Sequence, residues 1–427
     1  MNQLHPHRSP RRSFFIASSS GRARQSGQGL FVLLALFAVA SAALIFNFLR
    51  PTALAIENDK RTAAALAQAK QALIGWSVQR TSSVSLPNAR PGELPCPDAN
   101  NDGFEDGTCV AGALGRVPWK SLGIPEPKDG AGETLWYALA GPFRIWAVNA
   151  NKIDNDTKGN LTVYLDSSAT TLTTEAVAVI FAPGAAFGTQ NRSTTTSALC
   201  PTTGTTIALN LCAANYLDTT AGVNNATPLT NPSAPSFIQA QSSSTFNDRL
   251  LVITTAELMP PVEQRVAREM LALLSAYRAA SSCACYPWAA DINDSPFDDD
   301  SVGLDDPNPP GPRTRGGVPI ENAKPQNWGS LGITVPPWMI GSNIWGKKFY
   351  YAIAPIDTET HSPSTTLTVD GVAGKSLVLI TTGPAGASRP SSNIADYVDD
   401  LENRNNDDIF QTPSSTAYAR DRIYTIP

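Results

Sequence analysis

Residues 115–124 read GRVPWKSLGI, and the two halves of this stretch return in the same order as GGVP at 316–319 and WGSLGI at 328–333. The next segment is also shared, because LWYALA at 135–140 corresponds to FYYAIA at 349–354. Chance can match one short string, but it does not preserve the order of several. The sequence therefore indicates an internal duplication.

Further pairs of segments extend the duplication on both sides. Several are apolar stretches bounded by Pro- and Gly-rich loops, a pattern that predicts short β-strands. Given as first and second copy, the pairs are CPDANNDGFED (96–106) and CYPWAADIND (285–294), LTV (161–163) and LTV (367–369), AVAVIFAPGAA (176–186) and SLVLITTGPAG (376–386), NYLD (215–218) and DYVDD (396–400), and DRLLVIT (248–254) and DRIYTI (421–426).

A helical segment precedes each copy. Residues 56–78 are rich in strong helix formers, and Leu66 and Leu73 fall on one face. Before the second copy, Val262 and Val266 recur at helical spacing. The predicted fold class is α+β: a long N-terminal helix packed on an antiparallel sheet, with a second helix-plus-sheet module in tandem.

The N-terminal region has the charge pattern of a membrane anchor. The first 24 residues contain five arginines and no acidic residue, and residues 30–49 form an apolar run interrupted only by Ser41 and Asn47. A helix of 20 residues is long enough to cross the hydrocarbon core, and the preceding positive charge predicts a cytoplasmic N-terminus. We therefore expect a single-pass inner-membrane protein whose C-terminal bulk is periplasmic or on the cell surface. A cleaved secretory signal is the alternative, but its apolar region is normally shorter.

Composition argues against several functional classes. The net charge of −5 gives no reason to expect nucleic acid as a partner. Of the three histidines, only His361 lies beyond the leader, and no nucleophile elbow or phosphate-binding glycine loop is present. We therefore predict that the protein is not an enzyme and has no catalytic residues.

Residues 24–34, RQSGQGLFVLL, resemble the leader and processing site of the type IV pilins and type II secretion pseudopilins. The resemblance implies cleavage by a prepilin peptidase between Gly29 and Leu30, followed by methylation of the new N-terminus. It also gives a role to Pro51, since many pilins carry a helix-kinking proline there. A plain signal anchor is the alternative interpretation of this segment.

One position departs from the family pattern. Pilins usually carry glutamate at the fifth mature position, where this chain has Leu34. That departure is typical of minor, tip-type subunits. In the second copy, NIWGKKFYY at 343–351 and the acidic segment 397–410 are similar to a strand motif and a C-terminal loop of the major pseudopilins.

The resemblance implies a domain plan and a function. The ranges are a cytoplasmic leader at 1–29, the transmembrane part of the helix at 30–49, and pilin-like modules at 50–255 and 256–427. The implied function is a minor pilin or pseudopilin subunit of a type IV pilus or type II secretion apparatus. Its expected partners are other pilin or pseudopilin subunits, the prepilin peptidase and the inner membrane.

The alternative function is a membrane-anchored or pilus-tip adhesin. Its tryptophans could form a sugar-binding face, but tryptophans at repeated positions more often belong to a core.

All six cysteines follow the anchor, and an even number in an exported chain favours disulfides. Local pairing joins Cys96 to Cys109 and Cys200 to Cys212. Each bridge would close a loop of about 13 residues and stabilise the fold by about 3 kcal/mol. The pairing of the remaining two, which form a C-x-C at 283–285, is left open.

The first acidic segment matches the front half of a calcium-binding loop. Candidate ligands alternate along it, Gly103 permits the tight turn, and the twelfth position is Cys109 where a bidentate glutamate is expected. An acidic turn without metal is the alternative. The candidate ligands are Asp98, Asn100, Asp102, Phe104 through its carbonyl, and Asp106. Weaker candidates lie at Asp291, Asn293, Asp294 and Asp298–Asp300, and at Asp399, Asp400, Asp407 and Asp408.

Overall fold

The structure is a computed structural model of the chain. It divides into two compact units, Met1–Glu57 and Asn58–Pro427, and the predicted boundary after residue 255 falls inside the second. The four predicted domain ranges stay predictions. The structure describes residues 28–82, 89–107, 109, 113–144, 153–200, 205–226, 235–290, 314–320, 328–340, 344–354, 365–383, 394–396, 398–405, 407–413 and 421–427.

Two long helices fall where the sequence predicts them. Helix α1 is Gln28–Gln79 and helix α2 is Thr255–Ala280. On α1, Leu66, Ala69 and Leu73 form a buried stripe at helical spacing. Helix α2 begins with a capping box in which Thr254 and Glu257 satisfy each other's free amides.

The predicted single-pass inner-membrane anchor at residues 30–49 is wrong. Within the described part of the chain, no helix combines the length and the apolar character needed to cross a membrane. The prediction took residues 30–49 as the transmembrane part of a longer N-terminal helix. In the structure they are the first part of one continuous helix, Gln28–Gln79, whose later turns carry charged residues. The cytoplasmic N-terminus and the periplasmic or surface location depended on that span, so they are corrected with it.

The rest of the described chain forms short strands. In chain order they are β1 (Leu114–Arg116), β2 (Trp136–Leu139), β3 (Leu161–Leu165), β4 (Ser167–Ala182), β5 (Thr196–Leu199), β6 (Thr206–Ala208), β7 (Thr219–Thr220), β8 (Val223–Asn224), β9 (Ser236–Gln239), β10 (Arg249–Thr254), β11 (Arg315–Gly317), β12 (Phe349–Ile353), β13 (Leu367–Val369), β14 (Val372–Lys375), β15 (Leu377–Thr381), β16 (Ile409–Phe410) and β17 (Arg422–Ile426). The mixture of helix and sheet agrees with the predicted α+β class.

The first sheet is centred on the long strand β4. Its residues 176–182 are all buried because strands flank them on both edges. Strand β2 pairs antiparallel along one edge, with Trp136 opposite Phe181, and β10 pairs antiparallel along the other, with Leu250 opposite Phe181. Strand β1 extends the β2 side. The local strand order is therefore β1-β2-β4-β10.

The second sheet has the order β11-β12-β15-β17, and all its neighbours are antiparallel. Each of these strands occupies the repeat position of its counterpart in the first sheet. Each copy also contains a parallel pair. In the first copy β3 pairs with β9 within the same six-stranded sheet, and in the second copy β13 pairs with β16 in a separate three-stranded sheet that includes β14. A long helix precedes each set, so the same succession of elements occurs twice.

One continuous apolar core includes residues from both helices and both sheets. Within it, the ring of Tyr277 on α2 packs edge-on to Trp328, with ring centroids 5.0 Å apart. The tryptophans considered for a sugar-binding face are Trp119, Trp136, Trp328, Trp338 and Trp345. All except the half-buried Trp119 are 3% exposed or less, so those four act as core residues.

Candidate functional site in the acidic loops

The loop at residues 98–106 folds around the buried side chain of Asp98. Its Oδ2 accepts the backbone N–H of Gly103 at 2.7 Å, and its Oδ1 accepts that of Asp102 at 3.2 Å. Gly103 has a φ of +88°, and a Cβ there would lie 2.8 Å from the ring of Trp119. Glycine is therefore required for both backbone conformation and space.

The other candidate ligands of this loop also bond to its own backbone. Asn100 accepts the N–H of Asp102, Asp102 accepts that of Phe104, and Asp106 accepts that of Ala99, at 2.8–2.9 Å. Burial raises the pKa of Asp98, which disfavours its charged form. The loop is thus held by Asx-type turns that satisfy its amides.

Calcium binding by this loop stays a prediction. Among the residues that the structure describes, no three or more His, Cys, Asp or Glu side chains are grouped so as to hold a metal ion. The loop's side-chain oxygens face amides, an arrangement that a turn without metal also explains. The candidates at 291–300 lie outside the described residues.

The disulfides follow the local pairing expected from the sequence. Cys96 is bonded to Cys109 across the acidic loop, and Cys200 is bonded to Cys212. The pair that the sequence left open, Cys283 and Cys285, is also bonded. The first bridge closes the 98–106 loop at the position where a calcium loop would have its final glutamate.

A second arrangement of acids, at the start of β10, was missed by the sequence reasoning. Asp248 is buried, and its Oδ2 accepts the N–H of Asp218 at 2.8 Å and the side-chain amide of Asn225 at 2.9 Å. Burial, reinforced by the neighbouring charge of Asp218, raises the pKa of Asp248 well above its ordinary value. Asp248 therefore fastens the NYLD segment to the last strand of the first sheet.

The second sheet repeats this arrangement at the start of β17. The Oδ2 of Asp421 accepts the N–H groups of Asp399 at 2.7 Å and Asp400 at 3.1 Å. Burial raises the pKa of Asp421 to about 6, a shift that the backbone hydrogen bonds from Asp400 and Asp399 oppose. The candidate calcium ligands Asp399 and Asp400 thus bind this buried carboxyl through their backbones.

The arginine after each of these aspartates pairs with an acid on the helix of its own copy. Arg249 lies 3.2 Å from Asp59 on α1, and Arg422 contacts Glu263 on α2. The shared D-R dipeptide at 248–249 and 421–422 is the sequence signal for both contacts. In each copy the aspartate accepts hydrogen bonds from a loop, and the arginine forms an ion pair with the helix.

A buried lysine joins the two copies. Lys348, next to β12, is 3% exposed and lies 3.6 Å from Asp154; it also contacts Asp156. Both acids belong to the first copy, in the loop before β3. No sequence pattern connects Lys348 with the two acids, which lie far from it along the chain. The arrangement can clamp the two halves of the chain to each other.

The predicted processing residues lie at the start of α1. Gly29 and Leu30 fall in its first turn. The leader at residues 1–27 lies outside the described residues, so cleavage stays a prediction.

Comparisons with known proteins give no assignment. No family model matches the chain, and no curated protein matches it. No solved structure matches it either. The function proposed below is therefore inferred from the sequence and structure of this chain.

Proposed function

We propose that this chain is a non-catalytic structural subunit of the pilin or pseudopilin kind, built from two copies of a helix-plus-sheet module. The observation that carries the proposal is the repeated succession of elements. Helix α1 precedes the order β1-β2-β4-β10, and helix α2 precedes β11-β12-β15-β17. A long helix before an antiparallel sheet is what the resemblance implies for each pilin-like module.

Three buried charged side chains support a structural role. Asp248, Asp421 and Lys348 are all buried, and each is used to hold one segment of the chain to another. Perturbed acids can mark catalytic sites, but they can also belong to structural networks. Here the two carboxyls accept hydrogen bonds from main-chain amides and, at Asp248, also from the side-chain amide of Asn225, which suits loop fixation.

The proposed role includes assembly with other subunits after processing. Leu34, at the fifth position after the proposed cut, is 58% exposed and apolar. It lacks the charge with which a typical pilin pairs to a neighbouring N-terminus, so we propose a minor rather than a major subunit. The proposed partners are pilin or pseudopilin subunits and a prepilin peptidase.

Co-assembly tests this function. Tagged full-length chain would be produced together with the pilin or pseudopilin subunits of its host, and the assemblies would be isolated after chemical cross-linking. We expect the wild-type chain to cross-link to those subunits in substoichiometric amounts, and the Gly29→Val variant, which should resist processing, to be excluded. Wild-type chain absent from every assembly, or present equally in both cases, would overturn the proposal.

A further inference from the structure

Strand β4 extends well beyond the strand that covers one of its edges. Strand β10 pairs with it only as far as Thr254 opposite Ala176. On the other edge Ala176 faces Leu161 of β3, which continues along residues 167–175 with three register shifts. Because β3 and β10 occupy opposite edges at Ala176, the edge that β10 leaves at residues 167–175 has no partner among the described strands.

Apart from the irregular register with β3 and Glu175 at its end, this uncovered segment carries few of the features that prevent an edge strand from pairing with another chain. Residues 167–174 read SSATTLTT and contain no charge, proline or glycine. Natural edge strands usually carry such residues because a free row of N–H and C=O groups is a template for another strand. Leu172 at its centre is 49% exposed, an unusual position for a large apolar side chain in an uncovered strand.

The repeat offers a direct contrast. At the corresponding place the second copy has the short strand β14, with the sequence VAGK. Its Gly374 has a φ of +87°, and Lys375 places a charge at the end of the strand. Glycine and lysine both disfavour edge pairing. The glycine is therefore present in one copy and missing in the other, whereas a charge follows the segment in both copies, as Lys375 and as Glu175.

The sequence of the uncovered segment is symmetric. Residues 170–174 read TTLTT, with Leu172 in the middle. If two copies pair antiparallel about that residue, Leu172 faces Leu172, and threonine faces threonine on both sides. The nearest charge, Glu175, then faces Ala169 and not a second glutamate. Threonine pairs and apolar pairs across strands are stabilising, and an isologous contact of this kind closes as a dimer.

We propose that residues 169–175 of β4 pair with the same residues of a second copy of this chain, in antiparallel register centred on Leu172. This contact is independent of processing and of incorporation into a larger assembly. It requires only the folded chain. The failure of one proposal therefore leaves the other standing.

Single cysteines test both the contact and its register in the full-length chain. Opposite residues in an antiparallel pair have Cα atoms about 4.5–5.5 Å apart. Under mild oxidation we expect Leu172→Cys to form a disulfide-linked dimer, because it faces itself. Thr174→Cys alone should not cross-link, but it should cross-link when mixed with Thr170→Cys. Cross-linking by Thr174→Cys alone to the same extent as Leu172→Cys would overturn the register, and no dimer from Leu172→Cys would overturn the contact.

Sedimentation of the chain without added cysteine provides an independent readout. We expect the wild type to dimerise across the micromolar range. Leu172→Lys should weaken the dimer by about tenfold or more, because like charges directly opposite each other are destabilising. Val372→Lys, at an exposed position of β14, is the matched control and should leave the dimer unchanged. A monomeric wild type, or equal loss in both variants, would contradict the proposal.

Discussion

The last strands of the two sheets begin with the same dipeptide and use it in the same way, but in different surroundings. In the first sheet Arg249 is 44% exposed and pairs with Asp59, which is 61% exposed. In the second sheet Arg422 is 40% exposed, but its partner Glu263 is only 1% exposed. The contacts are equivalent in topology, whereas the free energy of losing them should differ because only one leaves a buried carboxylate.

The aspartates that precede these arginines, Asp248 and Asp421, are buried in both copies. Each buried aspartate receives main-chain amides from an acidic turn, so the loop before each last strand is fixed by one carboxyl. The two copies therefore share the same contacts between segments, whereas the burial of each acid determines how much its contact stabilises the fold. Variants of these contacts, and of the lysine that joins the two copies, test that distinction.

Removing the lysine that joins the copies should have the largest effect. Lys348→Met leaves Asp154, which is 8% exposed, beside a neutral side chain. Breaking a buried pair in this way costs about 3–5 kcal/mol. We expect that loss in the free energy of unfolding, measured by urea denaturation. Lys158→Met, which breaks a surface pair with Glu175, is the control and should cost under about 1 kcal/mol.

A rescue variant distinguishes charge from packing at Lys348. Adding Asp154→Asn and Asp156→Asn to Lys348→Met removes the buried negative charge as well. Most of the lost stability should return. If the triple variant is no more stable than Lys348→Met, the lysine acts through packing and the clamp interpretation is wrong.

The buried aspartate of the second sheet should make stability depend on pH. The pKa of Asp421 is raised from 3.8 to about 6 in the folded protein, so the folded state binds this proton more tightly than the unfolded state. The protonated side chain of Asp421 therefore contributes about 3 kcal/mol to the free energy of unfolding below about pH 3.8. This contribution is lost as the pH rises through about 6. Asp421→Asn should remove most of that slope.

Urea denaturation at several pH values between 4 and 7 measures the Asp421 slope. Asp407→Asn is the matched control, because Asp407 lies exposed in the same loop and its Oδ1 accepts a backbone N–H that asparagine can also accept. Identical pH profiles for wild type and Asp421→Asn would refute the assignment.

The two arginines provide the most direct comparison between copies. Arg422→Ala leaves Glu263 buried, and we expect a cost of about 2–3 kcal/mol. Arg249→Ala breaks an exposed pair and should cost under about 1 kcal/mol. Thermal or urea unfolding of the two variants in parallel gives the difference. Equal costs would mean that burial of the helix acid does not set the strength of the contact.

Calcium should have the smallest effect. Without a closing glutamate, we expect the 98–106 loop to bind calcium no more tightly than about 10⁻⁴–10⁻³ M. At a calcium concentration equal to the dissociation constant, the gain in stability is about 0.4 kcal/mol. Melting in calcium and in chelator should differ slightly for the wild type and not at all for Asp102→Asn with Asp106→Asn. No difference for the wild type identifies the loop as a turn held by its own amides.

Much of the fold could be predicted because its causes are local in sequence. Period-3.6 apolar spacing indicated both helices, and the repeated apolar segments indicated the paired strands. Two of the three disulfide pairs followed from spacing and from an even cysteine count, whereas the pairing of Cys283 with Cys285 was left open. The anchor prediction, which depended on the apolar run at 30–49 and the arginines before it, is wrong, because no helix in the described part of the chain is long and apolar enough to cross a membrane.

The buried charges could not be predicted, because they depend on contacts between distant segments. Lys348 and Asp154 are far apart in sequence, and no pattern connects one with the other. Asp248 and Asp421 were visible as repeated residues, but their burial was not. The metal-loop pattern at 98–106 could not distinguish ligands for a cation from acceptors for backbone amides, since both require alternating oxygens and a glycine.

The proposal that this chain is a processed structural subunit makes a direct prediction about its N-terminus. The full-length protein would be isolated from cells that contain a prepilin peptidase, and its first residues and intact mass would be determined. We predict a mature protein that begins at Leu30 with a methylated amino group, and an uncleaved chain when the peptidase is absent. An intact N-terminus at Met1 in both cells, or cleavage beyond residue 45, would contradict the account.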